Sequence, residues 1–167
     1  MTGAPGFRWL DEREQRAWRS YLAASTLVQQ RIERDLQQQH GMPHAYYMIL
    51  AMLSEAPGRR LRLAELAELL DSSISRLSHA IRKLDEAGWI EKTPDADDRR
   101  VSWAHLTELG WEVLTAAAPT HVTSVVDTLF DALTDEQVEQ FHAISSAILA
   151  RVAPGDDPNA VLRPGRP

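Results

Sequence analysis

One short stretch of this chain, residues 72–83, is rich in side chains that donate hydrogen bonds or carry positive charge. At 100° per residue, most of its polar side chains fall opposite an apolar seam of Ile74, Leu77, Ile81 and Leu84. The candidate contact residues are Ser72, Ser73, Ser75, Arg76, Ser78, His79, Arg82 and Lys83. Such donors and cations match the phosphate oxygens and base edges of a DNA groove. The alternative is an ordinary solvated helix face, which the helix by itself does not exclude.

A second basic element follows the helix. Two strand-like runs, residues 89–93 and 101–106, enclose the charged loop PDADDRR and predict a β-hairpin. The loop ends in Asp98, Arg99 and Arg100. Because this hairpin stands at the distance that a second groove would need, it favours the DNA-contact interpretation of the helix.

Two helices joined by a tight turn precede the hairpin. The first helix has apolar residues at helical spacing, namely Leu63, Leu66, Ala67 and Leu70. It has no Ser or Thr at its start to cap it. The break Asp71-Ser72-Ser73 consists of turn and N-cap residues, and Gly88 ends the second helix. Residues 59–62 are predicted to add a third strand. This order of elements predicts a winged helix-turn-helix, which places one helix in a DNA groove.

The stretch LAELLDSSISRLSHAIRKLDEAGWIEK, followed by DADDRRVSWAHLTELG, resembles the MarR family of bacterial regulators. The shared motifs are the Leu84–Gly88 helix end and the Asp-x-Arg pattern of Asp98–Arg100, which five intervening residues separate from Leu106-Thr107. The resemblance covers roughly residues 11–152. It implies that the second helix enters the major groove, that Arg100 reaches the minor groove, and that Asp98 holds Arg100 in place.

Long amphipathic helices flank this module. Asp11 and Glu14 form a capping-box pattern that opens a helix to about residue 39, and the next helix is predicted at 44–55. After the hairpin, Thr107 is expected to cap a helix to about residue 133, with a kink or break near Pro119. Thr134 opens the last helix, to about residue 152. The apolar faces of the first helix and of the last two helices exceed what a monomer could cover, which predicts a homodimer, as the resemblance also implies.

The predicted fold is therefore mainly α with a small β-hairpin wing. Its predicted organisation is a flexible N-terminus at 1–10, dimerisation helices at 11–58 and 108–152, a winged helix-turn-helix at 59–107 and a disordered tail at 153–167.

The net charge of −6 is unusual for a DNA-binding protein, but the negative charge is not spread evenly along the chain. Residues 59–100 contain nine Lys and Arg and nine Asp and Glu, so the rest of the chain carries the whole excess. A locally basic face can bind DNA although the body is acidic, because nearby charges dominate the field. There is no cysteine, no apolar run of membrane-spanning length and no signal-peptide core. A cytoplasmic protein without membrane contact is expected.

Other chemistry has little support in the sequence. Of the six histidines, His40 and His44 have HxxxH spacing, but Gly41 and Pro43 interrupt any helix they would share. No phosphate-binding or dinucleotide-binding motif occurs, and no nucleophile is paired with a base. We therefore expect no metal, no cofactor and no enzymatic activity.

A small aromatic or anionic effector is a further expectation, because family members often bind such ligands where the dimer helices meet the reading module. The candidate lining residues are Trp18, Tyr21, Tyr46, Tyr47 and Trp111, with Arg19 or Arg59 as the anion partner. The alternative is that these aromatic residues belong to an ordinary core.

The sequence thus predicts a homodimeric, sequence-specific DNA-binding regulator of transcription on a palindromic operator, acting as a repressor released by a ligand. The alternative function is a winged helix used for protein interaction without a DNA target.

Overall fold

A computed structural model describes residues 7–70, 74–95, 98 and 100–152. The predicted flexible residues 1–6, the turn 71–73 and the predicted tail at 153–167 lie outside this part. Within it, the helices are α1 (Glu12–His40), α2 (His44–Glu55), α3 (Leu63–Leu69), α4 (Ile74–Glu86), α5 (Glu108–Val125) and α6 (Asp135–Val152). The strands are β1 (Arg60–Arg62), β2 (Ile90–Pro94) and β3 (Ser102–Leu106). The mainly α fold with a small wing sheet is confirmed.

The ends of α1 follow the predicted signals. The Asp11 carboxylate accepts hydrogen bonds from the amides of Arg13 and Glu14 at 2.8 and 2.9 Å, and the Glu14 carboxylate accepts one from the Asp11 amide at 2.9 Å. Gly41 ends the helix at φ 62°, a left-handed conformation that glycine adopts without steric cost. The first helix is therefore set by local chemistry at both ends.

The three strands form one antiparallel sheet with β3 in the centre. Arg60 lies opposite His105, and Trp103 lies opposite Arg62 on one side and Thr93 on the other. The predicted third strand beside the hairpin is thus confirmed as β1. It leads directly into α3, where the amide of Arg62 donates to the Glu65 carboxylate at 3.0 Å. This bond caps the helix start that has no Ser or Thr.

One hydrophobic core joins the helices to the sheet. Its most buried side chains come from α1, α2, α3, α4 and β2: Leu36, Leu50, Leu53, Leu66, Ile81, Leu84 and Ile90. Full burial of such a side chain stabilises a fold by roughly 1.5–3 kcal/mol. The helix-turn-helix is therefore anchored in the same core as the long first helix.

Of the kink or break predicted near Pro119, the break is wrong, because α5 continues through Pro119 to Val125. A proline inside a helix removes one backbone hydrogen bond, and contacts on both sides of it hold this helix in place. Ala117 is fully buried before it, and after it the buried Ser124 donates to Asp35 of α1 at 2.7 Å. The departure from α geometry comes later, as a π-helical turn at Val126–Phe130.

The start of α5 lies against the chain that follows α4. A Cβ on Gly110 would stand 1.9 Å from the carbonyl oxygen of Trp89, so no larger residue fits there. The Thr107 hydroxyl, which accepts from the Gly110 amide at 3.0 Å, also donates to the carbonyl of Gly88 at 2.7 Å. Because of these contacts, α5 is closely joined to the end of α4.

The last helix leaves its apolar residues uncovered in the single chain. In the part that the structure describes, α6 has no buried residue, and Ile144 and Ile148 are 60% and 51% exposed. On α1, Trp18, Tyr21 and Leu27 are also exposed. None of the described helices has the length and apolar character needed to cross a membrane.

Candidate nucleic-acid interface

Helix α4 presents two opposite faces, as its sequence predicts. Leu77, Ile81 and Leu84 are buried in the core. The predicted contact residues that the structure describes are all exposed on the remaining surface: Ser75, Arg76, Ser78, His79, Arg82 and Lys83. The other two, Ser72 and Ser73, lie outside the described residues. The helix therefore offers hydroxyls, an imidazole and three cations to solvent while its apolar side holds it rigidly.

A carboxylate at the end of α4 engages two of these cations. Glu86 accepts hydrogen bonds from Arg82 at 2.8 Å and from Lys83 at 3.0 Å, and His79 lies 3.2 Å from Arg82. The hydrogen bond from Lys83, followed by its charge and by Arg82, holds the pKa of Glu86 below its ordinary value. This cluster was not among the sequence predictions, although its i, i+3 and i, i+4 spacings are typical of ion pairs on a helix. Because exposed ion pairs contribute little free energy, exchanging Glu86 for an external anion costs little.

Among the wing residues that the structure describes, Arg100 is an exposed arginine held by the carboxylate of Asp98. Asp98 accepts hydrogen bonds from the backbone N–H, the Nε and the Nη2 of Arg100, at 3.0, 3.0 and 2.9 Å. The Arg100 side chain is nevertheless 91% exposed. These bonds lower the pKa of Asp98, so the carboxylate is ionised at neutral pH. The predicted partnership of Asp98 and Arg100 is present in the free chain, whereas Arg99 lies outside the described residues.

A group of residues beneath the wing was likewise not predicted from the sequence. Asp95 accepts a hydrogen bond from the Trp103 indole N–H at 2.7 Å and another from the Asp98 amide at 3.2 Å. The guanidinium groups of Arg60 and Arg62 lie 4.8 and 5.1 Å from the Trp103 ring centre. No short motif signals this group, because its members come from three separate parts of the chain.

The five candidate effector residues are divided among different places. Trp18 and Tyr21 stack on the exposed side of α1, with ring centres 5.9 Å apart, and Trp18 lines an open groove of about 330 Å³. Tyr47 is buried beside His121, Tyr46 is half-buried on the same helix, and Trp111 lies under Arg59.

The proposed anion partners differ in the same way. Arg59 is 3.1 Å from Glu108 and so already faces a carboxylate of this chain. Arg19 lines the Trp18 groove. Of the two, Arg19 is therefore the one that stands beside aromatic rings in an open groove.

Two histidines stack against Tyr47 between α2 and α5. The His121 ring centre lies 4.3 Å from that of Tyr47 and 5.3 Å from that of His44. Burial, and then the neighbouring His44, lowers the pKa of His121 to about 4. Both imidazoles are therefore neutral at pH 7. Nowhere among residues 7–70, 74–95, 98 and 100–152 do three His, Asp or Glu side chains form a group that could hold a metal ion.

The chain is similar to known proteins. Residues 40–101 match the model of the MarR family. The HTH-type transcriptional regulator PapX of Escherichia coli is 31% identical over 114 residues, which span 66% of this chain and 67% of PapX.

Two solved structures are similar over most of the chain. Sco3205, a MarR family transcriptional regulator from Streptomyces coelicolor solved in complex with DNA, is 41% identical, with a TM-score of 0.85 over 91% of this chain and 95% of that one. AbsC, a MarR family regulator from the same organism, is 36% identical, with a TM-score of 0.81 over 87% and 98% of the two chains. These relatives are transcriptional regulators. The motifs, the winged helix-turn-helix and these similarities together show that the chain belongs to the MarR family of DNA-binding transcriptional regulators.

Proposed function

We propose that this regulator binds a palindromic operator as a homodimer and represses transcription until a small aromatic or anionic effector releases it. The observation that carries the proposal is the pairing of two exposed cationic elements, the polar face of α4 and the wing arginine Arg100. The face of α4 is held by the buried side of the helix, and Arg100 is held by hydrogen bonds. Both elements are therefore ordered before binding, so binding costs them little conformational entropy.

In this proposal α4 lies in the major groove. Its exposed donors, together with Ser72 and Ser73 at its start, contact phosphates and base edges. Arg76 and Arg82 are the candidates for reading guanine, because a guanidinium can donate two hydrogen bonds to one guanine edge. Arg82 would then exchange its bond to Glu86 for one to DNA.

The wing serves as the second contact. Arg100 enters the minor groove with Asp98 keeping it extended, and Arg99 meets the phosphate backbone. A narrow minor groove attracts arginine by its negative potential, so this contact favours affinity and responds to groove width. The relative Sco3205 was solved in complex with DNA, which supports DNA binding by the shared fold.

The homodimer forms through α1 and α6. Ile144 and Ile148 on α6, and Leu27 on α1, are more than half exposed in the single chain. Leaving such residues in water is unfavourable, and a second copy of the same helices covers them with matching apolar surface. A two-fold dimer presents two α4 helices to two half-sites of one palindrome.

The effector has its proposed site on the dimerisation helix α1. The groove beside Trp18 is its best-supported position, because it combines aromatic side chains with Arg19. Binding there would act on the dimer helices and thereby on the spacing of the two α4 helices.

A gel-shift experiment on fragments of the genome that encodes the protein tests the proposal, followed by footprinting of retarded fragments. We expect salt-dependent, sequence-selective retardation and protection of two half-sites separated by about one helical turn, roughly 10 base pairs or a multiple of it. Benzoate, a simple aromatic anion, serves as the first effector probe and should reduce retardation. If no fragment is retarded at low salt, the protein is a winged helix used for protein interaction.

A further inference from the structure

The wing tip is connected to the centre of the sheet by a continuous series of hydrogen bonds. Trp103, in the middle strand β3, donates its indole N–H to one oxygen of Asp95 at 2.7 Å. The other oxygen of Asp95 accepts the amide of Asp98 at 3.2 Å. The carboxylate of Asp98 in turn holds the Nε and Nη2 of Arg100. Two aspartates thus link a side chain of the sheet to the exposed wing arginine by hydrogen bonds.

Asp95 is itself fixed to both sides of the wing. Its backbone N–H donates to the carbonyl of Val101 at 2.9 Å, and the Val101 amide donates to the carbonyl of Asp98 at 2.9 Å. Asp95 therefore closes the base of the turn with its backbone and orients the tip with its carboxylate. The position of Asp98 follows from these bonds.

Trp103 is held in turn by the neighbouring strand. Arg60 and Arg62 of β1 place their guanidinium groups over its ring, at 4.8 and 5.1 Å from the centre. Such cation–π contacts restrict the ring while the charged groups remain exposed. The indole N–H consequently points to Asp95 from a side chain that has little freedom to rotate.

An exposed ion pair such as that of Asp98 and Arg100 does not by itself determine where an arginine points, because water and salt compete for both groups. We propose that Trp103 and Asp95 are positioning residues of the wing, which fix Asp98 and thereby hold Arg100 extended before any ligand is bound. The part of this inference that concerns DNA recognition rests on the proposed function. The conformational order of the Arg100 side chain in the free protein does not depend on the proposed function.

The first test needs no DNA. In the free dimer, the ¹⁵N order parameter of the Arg100 Nε–H group should be high in the natural protein and fall in Trp103→Phe, which keeps a ring under Arg60 and Arg62 but lacks the indole N–H. Asp95→Ala should lower it as well. Trp89→Phe is the matched control, because Trp89 is half-buried before β2, away from the wing tip, and this variant should leave the order parameter unchanged.

The second test uses the operator. Trp103→Phe should weaken operator binding roughly three- to tenfold, the effect expected from one hydrogen bond. In an Arg100→Ala background the same change should have almost no effect, since a residue that acts only through Arg100 loses its influence with it. A merely structural role would shift the urea midpoint and weaken binding equally in both backgrounds.

Two results would overturn the proposal: an Arg100 order parameter unaltered by both Trp103→Phe and Asp95→Ala, or equal losses of affinity with and without Arg100. If the natural protein retards no DNA, the proposed function fails instead. In that case the order parameter of Arg100 still tests the positioning role without any DNA-binding data.

Discussion

The carboxylate of Asp85, near the end of α4, accepts a hydrogen bond from the backbone amide of Lys92 in β2 at 3.0 Å. This bond joins α4, which carries the exposed donors and cations, to β2, the first strand of the hairpin. The two elements that we propose to contact one duplex are therefore linked to each other before binding.

Removing this link should loosen the wing relative to α4. We expect Asp85→Ala to lower the free energy of unfolding by about 1 kcal/mol, the usual contribution of a hydrogen bond, and to weaken operator binding more than this loss of stability explains. Asp85→Asn keeps an acceptor oxygen and serves as the control in both urea unfolding and gel-shift titration. Equal behaviour of the two variants would contradict the link.

Arg100→Ala should weaken operator binding about tenfold or more while leaving the fold intact, because its side chain is 91% exposed. Exposed substitutions usually change stability by about 0.5 kcal/mol or less. Asp98→Ala should show a milder defect of the same kind, since its carboxylate orients the arginine. Arg13→Ala, an exposed arginine at the start of α1, controls for the loss of a positive charge. Unchanged affinity of Arg100→Ala would mean that the wing does not touch DNA.

Substitutions on the recognition helix and substitutions of phosphate-contacting residues should change DNA binding in different ways. If Arg76 or Arg82 reads a guanine, its replacement by alanine costs roughly 1–3 kcal/mol of binding and relaxes specificity at one operator position. Arg99→Ala should weaken binding to all sequences alike and lower the salt slope by about one. Titration of each variant against the operator and its single-base variants, at several salt concentrations, distinguishes these patterns. If no substitution on α4 alters base preference, α4 is not the reading helix.

The dimer should depend on the uncovered face of α6. Light scattering should give twice the chain mass of 18.8 kDa for the natural protein without DNA. Ile144→Asp together with Ile148→Asp should give a monomer, because an unpaired charge buried in an apolar interface costs roughly 3–5 kcal/mol. Leu109→Asp introduces the same charge at an exposed leucine of α5 and should remain dimeric. A monomeric natural protein at micromolar concentration would contradict the interface.

Stability should fall as the pH is lowered from about 6.5 to about 4. Burial lowers the pKa of His121 in the folded chain to about 4, so the unfolded chain takes up the proton first and gains free energy from it. Stability from this group is complete above pH 6.5 and is lost progressively towards pH 4.

A substitution isolates this contribution. Because His121 is partly exposed, we expect it to account for about 1–2 kcal/mol between pH 7 and pH 5. His121→Phe keeps a ring against Tyr47 and should reduce the pH dependence of the urea unfolding free energy by that amount. An identical pH dependence in His121→Phe would show that another group titrates.

Local chemistry explains what could be predicted. The Asp11–Glu14 capping box, the left-handed Gly41 and the apolar spacing of α4 each involve residues within a few positions of one another. Such contacts form in nearly any surroundings, and so the bounds of α1 and the two faces of α4 could be predicted from the residues alone. The family motif similarly predicted the partnership of Asp98 with Arg100, because its members are two residues apart.

Tertiary packing decided the rest. Pro119 predicts a break from local rules, but burial of Ala117 and the bond from Ser124 to Asp35 keep α5 continuous, and neither contact can be recognised from spacing. The five candidate effector residues share their aromatic character, and they stand on three different helices, α1, α2 and α5, so their spacing in the sequence does not tell which of them meet. The sequence by itself determined which helix carries donors and which arginine has a carboxylate two residues before it. Only the tertiary structure decided that Trp103 and Asp95 support the wing, because these contacts join segments that the fold alone brings together.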